Sequence, residues 1–434
     1  MHTVRLALLL SLITATTTVS ASDWNDHTVR LLNGAQPDIA VPAKLQIVTE
    51  SWNRVVAVPY IVYMPEKKRV LMLVGCDYPH HPEVLHSDDE GATWSEPRTI
   101  LFDKEWKGID GLGTALTYLG KGRVLFLTGK TRWTSADYGE TWNPLSEIAP
   151  TNDNHPWYTW DPLWADRDPA SGEIVRLIET GYTVFQPPEV EKYYQQGYIR
   201  FSSDLGATFG ESITVPQWKG ADEVALIRSA NGTLVAACRT DIPEQKEGEW
   251  IDHYEGMGVS HSEDDGKTWS KIAMLYDYGR HHPSMVLLPD GRLVMTYVVR
   301  KGYIDTPEGF PQFGIEAIVS DDHGHTWDLD HRYILHLWHG DRTDENKWWT
   351  SSQATSTVLL PDGDLLTAFG TGYRSKDSAE PNKPGPRDAG LVRWRLSEAP
   401  LDSTSTISDA PSDSDTRNIF DPKPNKPAGE PPKD

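Results

Sequence analysis

Cysteine is nearly absent from this chain of 434 residues; only Cys76 and Cys238 occur. Two thiols cannot make a disulfide framework, so the fold must rest on a packed core. Long apolar runs are also missing. Residues 6–15 form the one sustained run, too short to cross a bilayer, so no stable membrane insertion is expected. Cations are outnumbered: 41 Lys and Arg stand against 63 Asp and Glu, a formal charge of −22. That balance argues against a nucleic-acid partner, because phosphate contacts need a basic surface. No HExxH or comparable ligand spacing appears, so no metal site and no cofactor is expected.

The ends read as accessory segments. His2 and Arg5 give a weakly basic start, residues 6–15 an apolar stretch, and Val19-Ser20-Ala21 a small-residue cleavage site. This is the pattern of a signal peptide over 1–21, which implies a secreted or periplasmic protein. Residues 22–43 read as a lead-in segment. Residues 397–434 are rich in Ser, Asp, Pro and Lys and are expected to stay disordered, for want of apolar surface to offset ordering entropy.

What the chain does contain is a repeat. The pattern S-x-D-x-G-x-T-aromatic occurs five times. The copies begin at Ser87, Ser135, Ser202, Ser262 and Ser320 and end at Trp94, Trp142, Phe209, Trp269 and Trp327. A recurrence of about 60 residues signals repeated supersecondary units. The glycine suits a positive φ, and the Ser and Asp oxygens suit backbone N–H groups within a turn. A calcium loop would need a ladder of ligands and a closing Glu, which are missing.

A second repeat interleaves with the first. Two apolar runs joined by a tight turn span 60–75, 115–129, 160–179, 224–239, 285–299 and 355–370. Asn231-Gly232, Asp290-Gly291 and Asp362-Gly363 are hairpin turns at their centres. Each unit reads as strand, tight turn, strand, long loop, strand, motif turn, strand. The fold class is therefore all-β: a six-bladed β-propeller over 44–396 with four-stranded antiparallel blades. Residues 44–50 should lie beside 391–396 and close the ring. Tight turns and motif turns fall on one face and long loops on the other, where sites are built. Cys76 and Cys238 fall in blades one and four, across the ring from each other, and are expected to be unpaired.

Five such motifs in a six-bladed chain resemble the sialidase (neuraminidase) superfamily, whose Asp box has this pattern. The resemblance spans about residues 44–396 and implies a glycosidase with an arginine triad for the sugar carboxylate, a Tyr nucleophile polarised by a Glu, and an Asp acid/base. Glu223 and Arg239 match the Glu and second Arg that flank the fourth hairpin, and Asp77 stands nearest the Asp position. Elsewhere the chain departs. Ala57 replaces the first Arg, Gln312 or Gly314 the third, and Ser352-Gln353-Ala354-Thr355 occupies the region of the Tyr. The scaffold matches while much of the machinery does not, so different substrate chemistry is implied.

Glu223, Asp77, Arg239 and His282 are the catalytic candidates. Glu223 could equally be a structural partner of Arg239, since an Arg within an apolar strand needs a carboxylate or a ligand. Neighbouring residues on an extended segment point to opposite sides, so only one of His281 and His282 should reach the mouth. Arg280, His281, Arg300, Asp161, Tyr182, Trp349 and Tyr373 are candidates for substrate binding; Tyr158 is a further stacking candidate. A glycoside hydrolase needs two carboxyls flanking the scissile bond, and Asp77, Asp110 or Asp161 could pair with Glu223. The expected partner is a glycan or polysaccharide. Two other readings stand beside hydrolysis: a polysaccharide lyase, using His or Tyr beside a neutralised uronate carboxylate, and a non-catalytic glycan- or protein-binding propeller.

Overall fold

The structure is a computed structural model and describes residues 18–19, 23–78, 80–100, 111–168, 170–185, 194–240, 255–301, 312–339, 353–373 and 385–401. Trp349 and Asp110 lie outside the described residues. Successive strands form antiparallel meanders. The first is Val56–Met64, Arg69–Cys76, His81–Ser87 and Arg98–Thr99. The second is Thr114–Gly120, Arg123–Thr128, Thr131–Ser135 and Asn143–Glu147. The third is Trp164–Arg167, Ile174–Phe185, Tyr194–Ser202 and Ile213–Lys219. The fourth is Ala221–Arg228, Leu234–Thr240, Gly256–Ser262 and Ala273–Tyr276.

The remaining strands differ from the expected separate blades. They form one nine-stranded sheet. Its order is Arg280–Leu287, Leu293–Lys301, Gln312–Ser320, Tyr333–His339, Asn25–Asn33, Gln36–Ile47, Ala389–Trp394, Leu365–Gly370 and Thr355–Leu359. The segment read as a lead-in is thus a hairpin. Its second strand pairs with Ala389–Trp394, as expected of residues 44–50, but it starts earlier. Its first strand pairs with Tyr333–His339 only at Arg30↔Ile334 and Leu31↔Tyr333, with His27 Nε2 lying 2.7 Å from the Leu335 carbonyl beyond them, so two meanders are joined at a narrow seam.

The second strands of the first and fourth meanders are buried on both faces; every residue of Arg69–Cys76 and Leu234–Thr240 is buried. A strand sandwiched between sheets gains nothing from alternation, which explains the continuous apolar runs. The motif turns close the packing. In the copy at Ser135, the Ser hydroxyl accepts the Gly139 N–H at 2.9 Å, and the two Asp137 oxygens accept the Thr141 N–H at 2.9 Å and hydroxyl at 2.6 Å. The other four copies repeat these bonds. Gly139 needs its φ of +82°, and a Cβ there would come within 2.8 Å of Leu71 in the preceding meander. Gly91 packs instead on Trp24 and Leu391, so the first meander meets the last and the chain closes on itself. Cys76 and Cys238 are buried free thiols.

Candidate active site

First strands of the meanders surround a central cavity of ≈ 1000 Å³, lined by residues 60–62, 116–118, 161–167, 225–226, 228–229, 282–285, 287 and 355–358. Arg176 and Arg228, both bound to Asp166 and Asp265, also line it; Asp265 lies in a motif turn, which marks that end as the turn face. Tyr60, Asp161 and His282 line it too and belong to the ionisable cluster described next.

The backbone there has a shared irregularity. Val58, Ala115, Glu223 and His282 each hold a left-handed φ, at +48°, +57°, +39° and +49°. Each lies at a register break where its first strand meets the second. A bulge of this kind re-aims a side chain, and non-glycine residues at positive φ persist only where their surroundings enforce them. Two of these bulges carry small apolar side chains. The other two present the carboxylate and imidazole that the sequence singles out.

Around Glu223 the charges interlock. Arg239 Nη1 donates to Glu223 Oε1 at 2.7 Å, its Nε donates to Glu255 and lies 3.7 Å from Asp222. Glu255, which the sequence reading missed, also lies 4.0 Å from His281 Nδ1. All five residues are buried. The paired histidines do diverge: His281 sits against Glu255, while His282 Nε2 lies 3.1 Å from the Tyr60 hydroxyl. That hydroxyl donates to the Trp160 carbonyl at 2.7 Å, so the hydrogen between Tyr60 and His282 comes from His282 Nε2. His282 Nδ1 is then a lone-pair acceptor, buried and without a hydrogen-bond partner. Burial first lowers the His282 pKa, which keeps the ring neutral.

Asp161 is buried, and its pKa rises well above the ordinary value, through burial first and then the Glu223 charge. Burial and the neighbouring Glu223 thus both favour the protonated form of Asp161. Burial, followed by Asp161 and Glu223, likewise holds Tyr60 as a neutral phenol. Tyr182 is raised by burial, then by Asp222 and Glu223. Its hydroxyl accepts from Trp160 Nε1 at 3.2 Å, and its ring lies 5.6 Å from half-exposed Tyr158, an aromatic pair suited to a sugar face.

The other candidates have partners of their own, and Arg300 stands close enough to His282 that its charge helps to lower the His282 pKa. Asp77 is bound by Arg54 at 2.7 Å, and Arg54 also holds Glu83 at 2.6 Å. Arg280 turns into the sheet interior, where it meets Glu316 at 3.2 Å and the Tyr276 ring at 4.7 Å. Arg300 donates to the Gln353 carbonyl at 3.1 Å. Tyr373 is hydrogen-bonded to Tyr78, and its ring faces Arg387. Glu223, Arg239, His282, Asp161 and Tyr182 thus gather in one cluster, with His281 behind it. Among the described residues no group of three or more His, Cys, Asp or Glu is arranged to hold a metal ion.

No protein-family model and no curated protein sequence matches the chain. Solved structures do. A protein of unknown function from Dyadobacter fermentans superposes with a TM-score of 0.55 at 16% identity, covering 79% of this chain and 96% of that one. The Hadza microbial sialidase Hz136 superposes with a TM-score of 0.51 at 14% identity, covering 79% of this chain and 66% of the sialidase. At such identities the likeness is one of fold. The chain is an all-β propeller. Among the described residues no helix is long and apolar enough to cross a membrane.

Proposed function

We propose that this protein is an exported glycoside hydrolase on a six-bladed propeller, the nine-stranded sheet being its fifth and sixth blades joined by the N-terminal hairpin. The observation that carries the reading is the Asp161–Glu223 pair: one buried carboxyl whose pKa burial and the Glu223 charge raise well above the ordinary value, and one carboxyl bound by Arg239. Two carboxyls in opposite protonation states are what glycosidic cleavage requires. Asp161 gives its proton to the leaving oxygen as the C–O bond breaks, Glu223 offsets the positive charge developing on the sugar ring, and a water then bonds to the anomeric carbon and returns its proton to Asp161. Tyr158 and Tyr182 stack on the ring. Arg239 and Glu255 keep Glu223 in place. Asp77, bound by Arg54, serves as a rim contact in this reading. The sialidase resemblance supports the class of reaction, and the departures at Ala57 and Ser352 argue against a simple sialoside as substrate.

The test is incubation with a glycan panel and mass analysis of products, with Glu223→Gln and Asp161→Asn as controls. New reducing ends that both variants abolish support hydrolysis. One observation favours a second reading: the neutral His282 offers an unpartnered Nδ1, a ready base for proton abstraction. Products carrying a new ultraviolet-absorbing double bond would establish a lyase. Absence of any product, with glycan retained, would leave a binding propeller.

A further inference from the structure

Among the described residues six arginines are buried, and five of them meet carboxylates. Arg69 meets Asp88 and Glu140, Arg132 and Arg200 share Glu179, Arg239 meets Glu223, and Arg280 meets Glu316. Arg387 has none. It is 2% exposed, and its Nε and Nη1 are buried without a hydrogen-bond partner. Among the described residues no carboxylate lies within ion-pair distance of it. Its backbone is fully used, donating to Arg54 O at 3.2 Å and accepting from Val56 N at 3.0 Å, so its main chain is held in place. The Tyr373 ring lies 4.6 Å from its guanidinium. A ring face attracts the cation but cannot satisfy the two N–H groups.

Arg300 adds a second positive charge nearby: burial first lowers the Arg387 pKa, Tyr373 and Tyr78 act the other way, and Arg300 lowers it further. His80 presents a second buried, unpartnered nitrogen, Nδ1, and is held neutral with a pKa of about 4 by burial and by Arg387. An uncompensated buried cation is costly to a fold. The protein carries a large negative excess, −22 in all, so an anion would need a locally cationic point to bind. Arg387 occupies none of the three positions at which the sialidase resemblance expects an arginine.

We propose that Arg387, with Arg300 and His80, forms a seat for an oxyanion, a carboxylate or a sulfate ester, carried by the glycan. Calling that glycan a substrate rests on the hydrolase reading; the binding does not. A guanidinium offers two parallel N–H donors to either group. The seat would select acidic sugars over neutral ones.

The experiment is thermal unfolding of the full chain with methyl glucuronide, galactose 6-sulfate and their neutral counterparts, at matched ionic strength. The wild type should gain several degrees with at least one acidic sugar, saturably, and nothing with the neutral sugars. The two acidic sugars separate the carboxylate from the sulfate. Arg387→Met should melt higher than the wild type without ligand and lose the response, while Arg387→Lys should keep a weaker response. An unresponsive wild type overturns the proposal, as does Arg387→Met with the full response. If Arg387→Met does not fold, the wild-type titration alone decides. Because the readout is binding, a response in a protein that cleaves nothing would sink the hydrolase reading and spare the seat.

Discussion

The two ends of the same inner strands differ in kind. At the turn end, polar groups are satisfied locally: Ser and Asp oxygens take up the N–H groups of their own turn, and Arg176 and Arg228 share Asp166. At the other end, buried ionisable groups are stacked together. Glu223 and His282 hold strained backbone, Asp161 is kept from ionising, and His282 Nδ1 has no partner. A fold has reason to repeat the first arrangement five times, since it stabilises every copy. The second destabilises the fold, and destabilising features persist at functional sites.

Mutations should separate the two ends. Largest is the effect expected at the charge cluster. Arg239→Met leaves Glu223 and Glu255 buried without their cation and should cost about 3–5 kcal/mol, measured by urea unfolding. A cost near zero would show that the cluster is not held together as described. Trp269→Ala follows at the turn end. Its ring is 7% exposed and packs 4.6 Å from Trp218, so truncation should cost ~3–5 kcal/mol, with glycan binding by the surviving folded fraction unchanged.

Acid should act oppositely on the two ends. Hydrogen bonds from Thr268 lower the Asp264 pKa from 3.8 to about 2. A depressed carboxylate contributes stability above its unfolded value, and that contribution is lost as pH falls from 3.8 towards 2. Asp161 is shifted upward, so its contribution is complete below 3.8 and lost as pH rises through its folded value. Hydrogen exchange between pH 4 and 2 should therefore show the motif turns loosening before the strand starts near Asp161; the reverse order would contradict the assignment. Smallest is Ala115→Gly. Relieving a left-handed alanine in a bulge that carries no chemistry should stabilise by roughly 1 kcal/mol in the same unfolding assay.

The turn end was legible in the sequence because its bonds are local. Ser135, Asp137, Gly139 and Thr141 lie within one turn, and a motif can record them. The site end was legible only in part. Glu223 and Arg239 flank one hairpin and could be paired by inspection, and the divergence of His281 and His282 follows from strand geometry. Tyr60 meets His282 across 222 residues of chain, with no sequence pattern to signal it. Glu255 and Arg387 each follow a long segment that carries no repeat, so nothing in their spacing marks them. The hairpin Asn25–Asn33 and Gln36–Ile47 was missed because its exposed, charged outer face reads as linker.

The central claim is that Asp161 and Glu223 serve chemistry at some expense of stability. Asp161→Asn and Glu223→Gln keep shape and remove the titrating group, so one paired measurement tests it: the unfolding free energy of each variant beside its rate of product release from the glycan that the wild type cleaves. The account predicts that Asp161→Asn is at least as stable as the wild type, and that both variants lose roughly 10²–10⁴-fold in rate. An Asp161→Asn protein that is several kcal/mol less stable yet cleaves at the wild-type rate would make Asp161 a structural residue and contradict the account.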